Sequence, residues 1–451
     1  MSKLMYQIGL IEILAMERPE IIRDDLSSQI KKKFAYICGP TVYDDSHLGH
    51  ARVYVIFDMM TRVSNDMVAI MNITDIDDKI INKAQQEKKT FKEIALIYER
   101  SFFNSMKKLN VLKPKFLLRV TDYIPEIIKY INKIISNGYA YMKGGSVYFD
   151  SKAYELKYGI GNLTPKGQTM ADFVMWKSAK TGEPCWNSPW GNGRPGWHIE
   201  CSTLATTISP IIDLHIGGID LKFPHHQNEV YQCNAHRNDQ KWCKKFLHIG
   251  HLHINGLKMG KSLKNFIKID EIFHNFGKSH SSIEIANSLR LLFAKSDWKK
   301  NMNFSMDSLQ ESFKLWFSFN SFVRSETTII LSSKELNSVN KGIMNNESII
   351  EKYLSNYDFH LVIGAISKIV FNTHESQRTN ELKKFVKNTL ETLGFVFEGN
   401  NDILPILLKF RKQMRDVAKK SEKNTRKDLF KISDSLRDDL KSIGIRIEDN
   451  I

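Results

Sequence analysis

The chain is predicted to be an α/β protein: a Rossmann-like parallel-sheet domain split by an insertion, then an α-helical bundle and a small C-terminal region. Three observations lead there. At 451 residues the chain exceeds what one compact core can hold. Short apolar runs alternate with amphipathic helices over 1–110, and again over 197–256. Between these stretches Pro, Gly and aromatic residues crowd 111–196, and after the second one the alternation gives way to helices.

Each element has its own signal. Residues 34–38 are apolar, follow the lysines at 31–33 and stop at Gly39-Pro40, the pattern of a buried strand entering a loop. Asp45 and Ser46 are helix-capping types, so a helix is expected over 47–64, with Val53, Phe57 and Met60 on one stripe. A strand over 68–73 leads into Thr74-Asp75-Ile76-Asp77-Asp78, and 79–109 reads as strongly helical. That strand–helix–strand order implies a parallel, right-handed crossover. The second half, 197–256, holds a helix over 198–209, a strand over 211–216, a helix opened by Pro224 and a strand over 246–249. Residues 257–305 begin with a basic loop. Residues 306–400 read as a bundle with Leu309, Phe313, Trp316 and Phe317 on one face. The basic region 401–451 could end in a short strand at 444–449.

Composition narrows the partners. Hydrophobic residues make up 42% and charged residues 25%, ordinary values for a globular protein. A formal net charge of +15 favours a polyanionic partner, because clustered Lys and Arg displace counterions from phosphates; solvated lysine-rich faces are the bland alternative. Five cysteines form no paired framework, which indicates a reducing compartment with thiols free or metal-bound. Residues 1–20 lack the basic and long apolar regions of a signal peptide, and nothing reaches the roughly 20 apolar residues of a membrane span. A cytoplasmic protein with no membrane contact is expected.

Three constellations carry chemistry. His47-Leu48-Gly49-His50 falls where a strand end passes through a loop into a helix, the edge at which open α/β sheets bind ligands. Two imidazoles three residues apart share the first turn and can donate to a polyphosphate, while Gly49 lets a base or ribose approach the backbone. A second His-Ile-Gly-His at 248–251 lies late on a strand, so the phosphate role goes to His47 and His50 and the copy is read as backbone near an adenine. Lys258-Met259-Gly260-Lys261-Ser262 is a basic loop able to close on a triphosphate. Cys38, Cys201, His225 and Glu229 offer the ligand types Zn²⁺ accepts, although His226 and the other cysteines qualify equally on composition.

Together these segments resemble the cysteinyl-tRNA synthetases, of the class I aminoacyl-tRNA synthetases. The matching stretches are Cys38-Gly39-Pro40-Thr41-Val42-Tyr43, His47-Leu48-Gly49-His50, Asn72-Ile73-Thr74-Asp75-Ile76-Asp77-Asp78-Lys79, Pro195-Gly196-Trp197-His198-Ile199-Glu200-Cys201-Ser202, Phe223-Pro224-His225-His226-Gln227-Asn228-Glu229 and the run 258–264. The resemblance implies one Zn²⁺ held by Cys38, Cys201, His225 and Glu229, which the substrate L-cysteine joins through its own sulfur. A thiolate ligates zinc where a hydroxyl does so poorly, and one strong polar contact can reject analogues by about 10⁴-fold without an editing domain. It further implies an amino-acid pocket with Gly39, Thr41, Thr74 and Trp197, and an ATP site of His47, Gly49, His50, Gly218, Asp220, Lys258 and Lys261. Of these, His47, His50, Lys258 and Lys261 stabilise the triphosphate, with Mg²⁺ arriving on ATP. The other implied partner is tRNA(Cys), bound by a monomer whose region 401–451 contacts the anticodon.

Departures from the family pattern are Gly260 where Ser is usual, Gln227 where Glu is usual, a short link between Met60 and Asn72, and an early end after Glu448-Asp449. A cysteine ligase acting on a small amino-sugar acceptor is the nearest alternative, and a catalytically silent nucleic-acid-binding relative the next. The former needs no basic C-terminal helices. The latter would have lost a histidine, a lysine or a zinc ligand, and all are present.

Overall fold

Strand β1 (Lys33–Ile37) sets the frame, because side chains along a strand alternate between faces. Ala35 and Ile37 enter one hydrophobic core, while Tyr36 and Cys38 enter another on the opposite face of the sheet. The computed structural model describes residues 32–442, apart from 65, 240–241, 255, 260–264, 326–332, 375–376 and 398–402. The expected terminal strand at 444–449, the segment 1–20 and Lys261 therefore lie outside the described residues.

From β1 the chain runs through α1 (Leu48–Val63), β2 (Met67–Ile73), α2 (Asp78–Glu87), α3 (Phe91–Lys108), β3 (Phe116–Arg119) and α4 (Ile124–Ser136). An excursion follows through β4 (Ala140–Lys143), β5 (Ser146–Phe149), α5 (Ser151–Tyr158), β6 (Phe173–Ser178) and β7 (Gly193–Pro195). The chain returns with α6 (Trp197–Ile208), β8 (Ile212–Gly218), α7 (Gln227–Arg237) and β9 (Cys243–Ile249). Next come β10 (Leu252–Ile254), β11 (Leu257–Lys258), α8 (Ile269–Phe276), α9 (Ser282–Ala294) and β12 (Met302–Phe304). Six helices complete the described chain: α10 (Met306–Arg324), α11 (Ser333–Ser355), α12 (Phe359–Asn372), α13 (Asn380–Thr392), α14 (Ile403–Lys420) and α15 (Lys423–Ser442).

The main sheet is parallel throughout, in the order β3-β2-β1-β8-β9. Its order reverses at β1, which has β2 on one side and β8 on the other. That switch point opens a crevice beyond the carboxyl ends of β1 and β8, where open α/β sheets bind their ligands. A four-stranded antiparallel sheet, β4-β5-β6-β7, forms the excursion, and a small β11-β10-β12 sheet follows β9.

Several expectations shift. β3, inside the stretch 111–196 read as insertion, pairs with β2 and extends the parallel sheet. The helix expected over 79–109 is broken: Lys88 is left-handed at φ 53°, and Thr90 with Glu93 caps a new helix through a reciprocal capping box. The N-cap of α1 is His47 instead of Asp45 or Ser46. Pro224 lies in an irregular turn, and the regular helix starts at Gln227. Leu309, Phe313 and Trp316 are buried as expected, but Phe317 is 45% exposed; Phe319 and Phe322 fill the core in its place. Among the described residues no helix is long and apolar enough to cross a membrane.

The far end of α1 is tied to the helical region by a buried ionic knot. Asp58 Oδ2 accepts from Arg290 Nη2 of α9 at 2.5 Å and from Arg62 Nε at 2.8 Å. Arg290 also donates to the carbonyls of Leu393, just past α13, at 2.6 Å and of Leu109 at 3.0 Å. Removing one member leaves a buried charge uncompensated, so Asp58→Ala is expected to lower unfolding stability by about 3–5 kcal/mol in a denaturant titration.

Candidate active site and metal centre

The N-terminus of α1, the positive end of its helix dipole, points at the crevice. His47 and His50 cap one another there. His47 Nδ1 accepts the backbone N–H of His50 at 3.3 Å, and His50 Nδ1 accepts that of His47 at 3.5 Å. The two rings stack with centroids 3.7 Å apart. Because each Nδ1 is an acceptor, each neutral ring carries its proton on Nε2, so both are set as donors. A Cβ at Gly49 would sit 2.8 Å from the His47 ring, so a side chain there would displace the cap.

A cleft of about 580 Å³ occupies the crevice. Its walls include Cys38, Gly39, Thr41, His47, Gly49, His50, Thr74, Trp197, Cys201, Gly218, Asp220 and His225. Twelve of the residues singled out from the sequence thus converge. Glu229 lies behind them, fully buried. Lys258 falls on β11, next to Met259 of the cleft wall, while Lys261 is outside the described residues.

The ligand set gathers from three elements. Cys38 follows β1 on the face it shares with Tyr36, Cys201 comes from α6, His225 from the irregular turn before α7 and Glu229 from the first turn of α7. Cys38 Sγ is 3.8 Å from Cys201 Sγ, 3.5 Å from His225 Nε2 and 3.7 Å from Glu229 Oε1. His225 Nε2 lies 3.0 Å from Glu229 Oε1. A tetrahedral ion with about 2.3 Å bonds to sulfur and 2.0–2.1 Å bonds to nitrogen separates two sulfurs by about 3.8 Å, and sulfur from nitrogen by about 3.6 Å. The donor atoms therefore fit a tetrahedral cation. Cys38, His215, His226 and Glu229 form a second compact group, but neither His215 nor His226 lines the cleft.

Three outer histidines brace this buried cluster, a role the sequence does not give them, since 248–251 reads there only as backbone near an adenine. His198 Nδ1 lies 2.8 Å from His225 Nδ1, His215 Nε2 lies 2.7 Å from Glu229 Oε2, and His248 Nε2 lies 2.9 Å from His226 Nδ1. Burial lowers His198 to about 3 and His248 to about 4, so both are neutral. Neutral His198 can accept from His225 Nδ1, which frees His225 Nε2 to ligate. Although burial opposes ionisation, His215 and His225 hold Glu229 well below the ordinary carboxylate range. Burial raises the Cys38 thiol, while a hydrogen bond from Cys38 lowers Cys201 to about 6.

Asn72, quoted in a motif without a role, braces the floor. Its Oδ1 accepts from Tyr36 Oη at 3.0 Å and from the Gly39 N–H at 2.8 Å, and its Nδ2 donates to Thr74 Oγ1 at 3.1 Å. Trp197 lies over His225 with centroids 4.5 Å apart and is 45% exposed, an open aromatic wall.

A switch-point cleft beside a histidine-capped helix, together with the family match that follows, makes this chain a class I aminoacyl-tRNA synthetase. The family described as tRNA synthetases class I (C) catalytic domain matches residues 26–314. The cysteine–tRNA ligase of Encephalitozoon cuniculi is 38% identical, covering 92% of this chain and 92% of that protein. The cytoplasmic one of Dictyostelium discoideum is 36% identical over 92% and 72%, and that of Acanthamoeba polyphaga mimivirus 34% over 92% and 94%. This chain belongs to the cysteine–tRNA ligases. Solved structures show the same fold, among them Mycobacterium tuberculosis methionyl-tRNA synthetase in complex with methionyl-adenylate, with a TM-score of 0.56 at 12% identity, covering 80% of this chain and 89% of that one.

Proposed function

We propose that this cysteine–tRNA ligase selects L-cysteine with a zinc ion held by Cys38, Cys201, His225 and Glu229, activates it with ATP, and transfers it to the 3′ end of tRNA(Cys). The observation that carries the reading is that this donor set opens into the same cleft as the His47–His50 cap. Bound there, Zn²⁺ supplies a Lewis-acidic position that a thiolate fills better than a hydroxyl. Trp197 and Thr74 flank the amino acid, and Gly39 with Thr41 form the floor. Gly218 and Asp220 meet the ribose, and Gly49 lets the nucleotide approach α1.

His47 and His50 donate from Nε2 to the triphosphate, and Lys258 and Lys261 neutralise the pyrophosphate as it leaves. The cysteine carboxylate attacks the α-phosphate in line, and the terminal ribose of the tRNA then attacks the adenylate carbonyl. No enzyme nucleophile takes part, so catalysis is positioning and electrostatics. Mg²⁺ comes with ATP. The basic helices α14 and α15 suit the tRNA backbone, and we assign the protein as a cytoplasmic monomer. The amino-sugar alternative is set aside, because relatives matching 92% of the chain are named cysteine–tRNA ligases.

Cysteine-dependent ATP–pyrophosphate exchange without tRNA tests activation, and charging of a tRNA(Cys) transcript tests transfer. Absence of the exchange removes the activation reading. Two metal predictions accompany it. Zinc binding should release protons, because Cys38 is held as a thiol and must ionise to ligate; affinity then rises with pH, and calorimetry in buffers of different ionisation enthalpy counts the protons. His215→Gln should weaken zinc by about 10–100-fold in a chelator competition, since it loosens the Glu229 carboxylate without removing a ligand.

A further inference from the structure

We propose that Arg52 is a positioning residue for ATP, fixing the Gly250 and His251 wall of the cleft against the helix that opens with His47 and His50. The inference rests on the reading of this cleft as the ATP site. Arg52 follows His50 by two positions on α1 and is 1% exposed. Its Nη1 donates to the carbonyls of Gly250 at 2.7 Å and His251 at 2.8 Å. Its Nη2 donates to the carbonyls of Lys300 at 2.7 Å and Asp297 at 3.3 Å. Gly250 and His251 line the cleft together with His47 and His50.

A buried guanidinium is a costly way to fill space. Among the described residues no carboxylate forms an ion pair with Arg52; four carbonyl dipoles compensate its charge, helped by the more distant Asp297 carboxylate. An apolar side chain of similar volume would pack more cheaply. What the guanidinium adds is its planar fork, which reaches two strands of chain at once.

The two segments it bridges already cohere. Gly250 N–H donates to Trp298 O at 2.9 Å, His251 N–H to Asn301 Oδ1 at 3.0 Å, and Met302 N–H to His251 O at 2.8 Å. A Cβ on Gly250 would lie 2.2 Å from Lys300 O, which shows how closely they run. These bonds join the segments to each other, whereas Arg52 joins both to α1. The ATP site has walls from both halves of the sheet domain, and Arg52 sets the gap between them. That also gives the second His-Ile-Gly-His spelling a use: the backbone at its end is the part Arg52 grips.

The test is cysteine-dependent pyrophosphate exchange by Arg52→Met in the full chain. The KM for ATP should rise by about ten-fold or more, the scale of lost hydrogen bonds from a charged group, while the KM for cysteine stays within about two-fold and metal content is unchanged. An equal rise in both KM values, or a folded variant with wild-type KM for ATP, overturns the proposal. Should Arg52→Met fail to fold, Asn301→Ala removes an exposed tie of the same wall and should raise the KM for ATP by about two- to three-fold. A wild-type KM for ATP in that variant also overturns it. Wild-type protein that shows no exchange at all counts against the proposed function instead.

Discussion

Cys201→Ala is expected to lose its bound zinc and to lower cysteine-dependent pyrophosphate exchange by about 10⁴-fold, the scale on which a site built on one strong polar contact falls when that contact goes. The protein should stay folded, because the change removes a single sulfur atom from one core in the second turn of α6 and leaves the sheet intact. Metal analysis and exchange on the same preparation provide the check. Unchanged metal content would remove Cys201 from the ligand set and point to Cys38, His215, His226 and Glu229, the other compact donor group.

His47→Asn is the second change with a large expected effect. Asn is itself a strong N-cap, so α1 should remain capped and the melting temperature should move by only a few degrees. If His47 donates to the triphosphate as proposed, kcat for exchange should fall by about 10²–10³-fold, the scale of one lost preorganised donor. A folded variant with wild-type kcat would mean that His47 serves the helix alone. The two substitutions act on different partners: Cys201→Ala should be rescued by no concentration of ATP, and His47→Asn by no concentration of zinc.

Much of this was legible in the sequence because it is local. Strand–helix alternation, the histidine pair after a strand end and the i, i+4 spacing of His225 and Glu229 are all written within a few residues. The break at Lys88 to Thr90 was legible too, since Thr90 and Glu93 spell a capping box, but the helical periodicity on either side masks it. The membership of β3 in the sheet was hidden, because Phe116–Arg119 is only four residues long and meets β2 only after two intervening helices. The histidines at 198, 215 and 248 were hidden for a related reason. Each comes from a different element and takes its role from the ring or carboxylate it meets, and no spacing encodes that meeting. Phe317 shows the limit of periodicity, since a position eight residues from Leu309 sits at the edge of the stripe and turns outward.

Helix α1 has sixteen residues and so is about 24 Å long. One end carries the histidine cap and the other carries Asp58 and Arg62, locked to Arg290 and through it to the carbonyl that ends α13. In mechanical terms it is a strut with both ends pinned. A load applied to the helices that carry Arg290 and Leu393 is not easily absorbed by sliding at the joint, because sliding would expose a buried charge. The strut carries it towards the stacked pair of imidazoles at the opposite end.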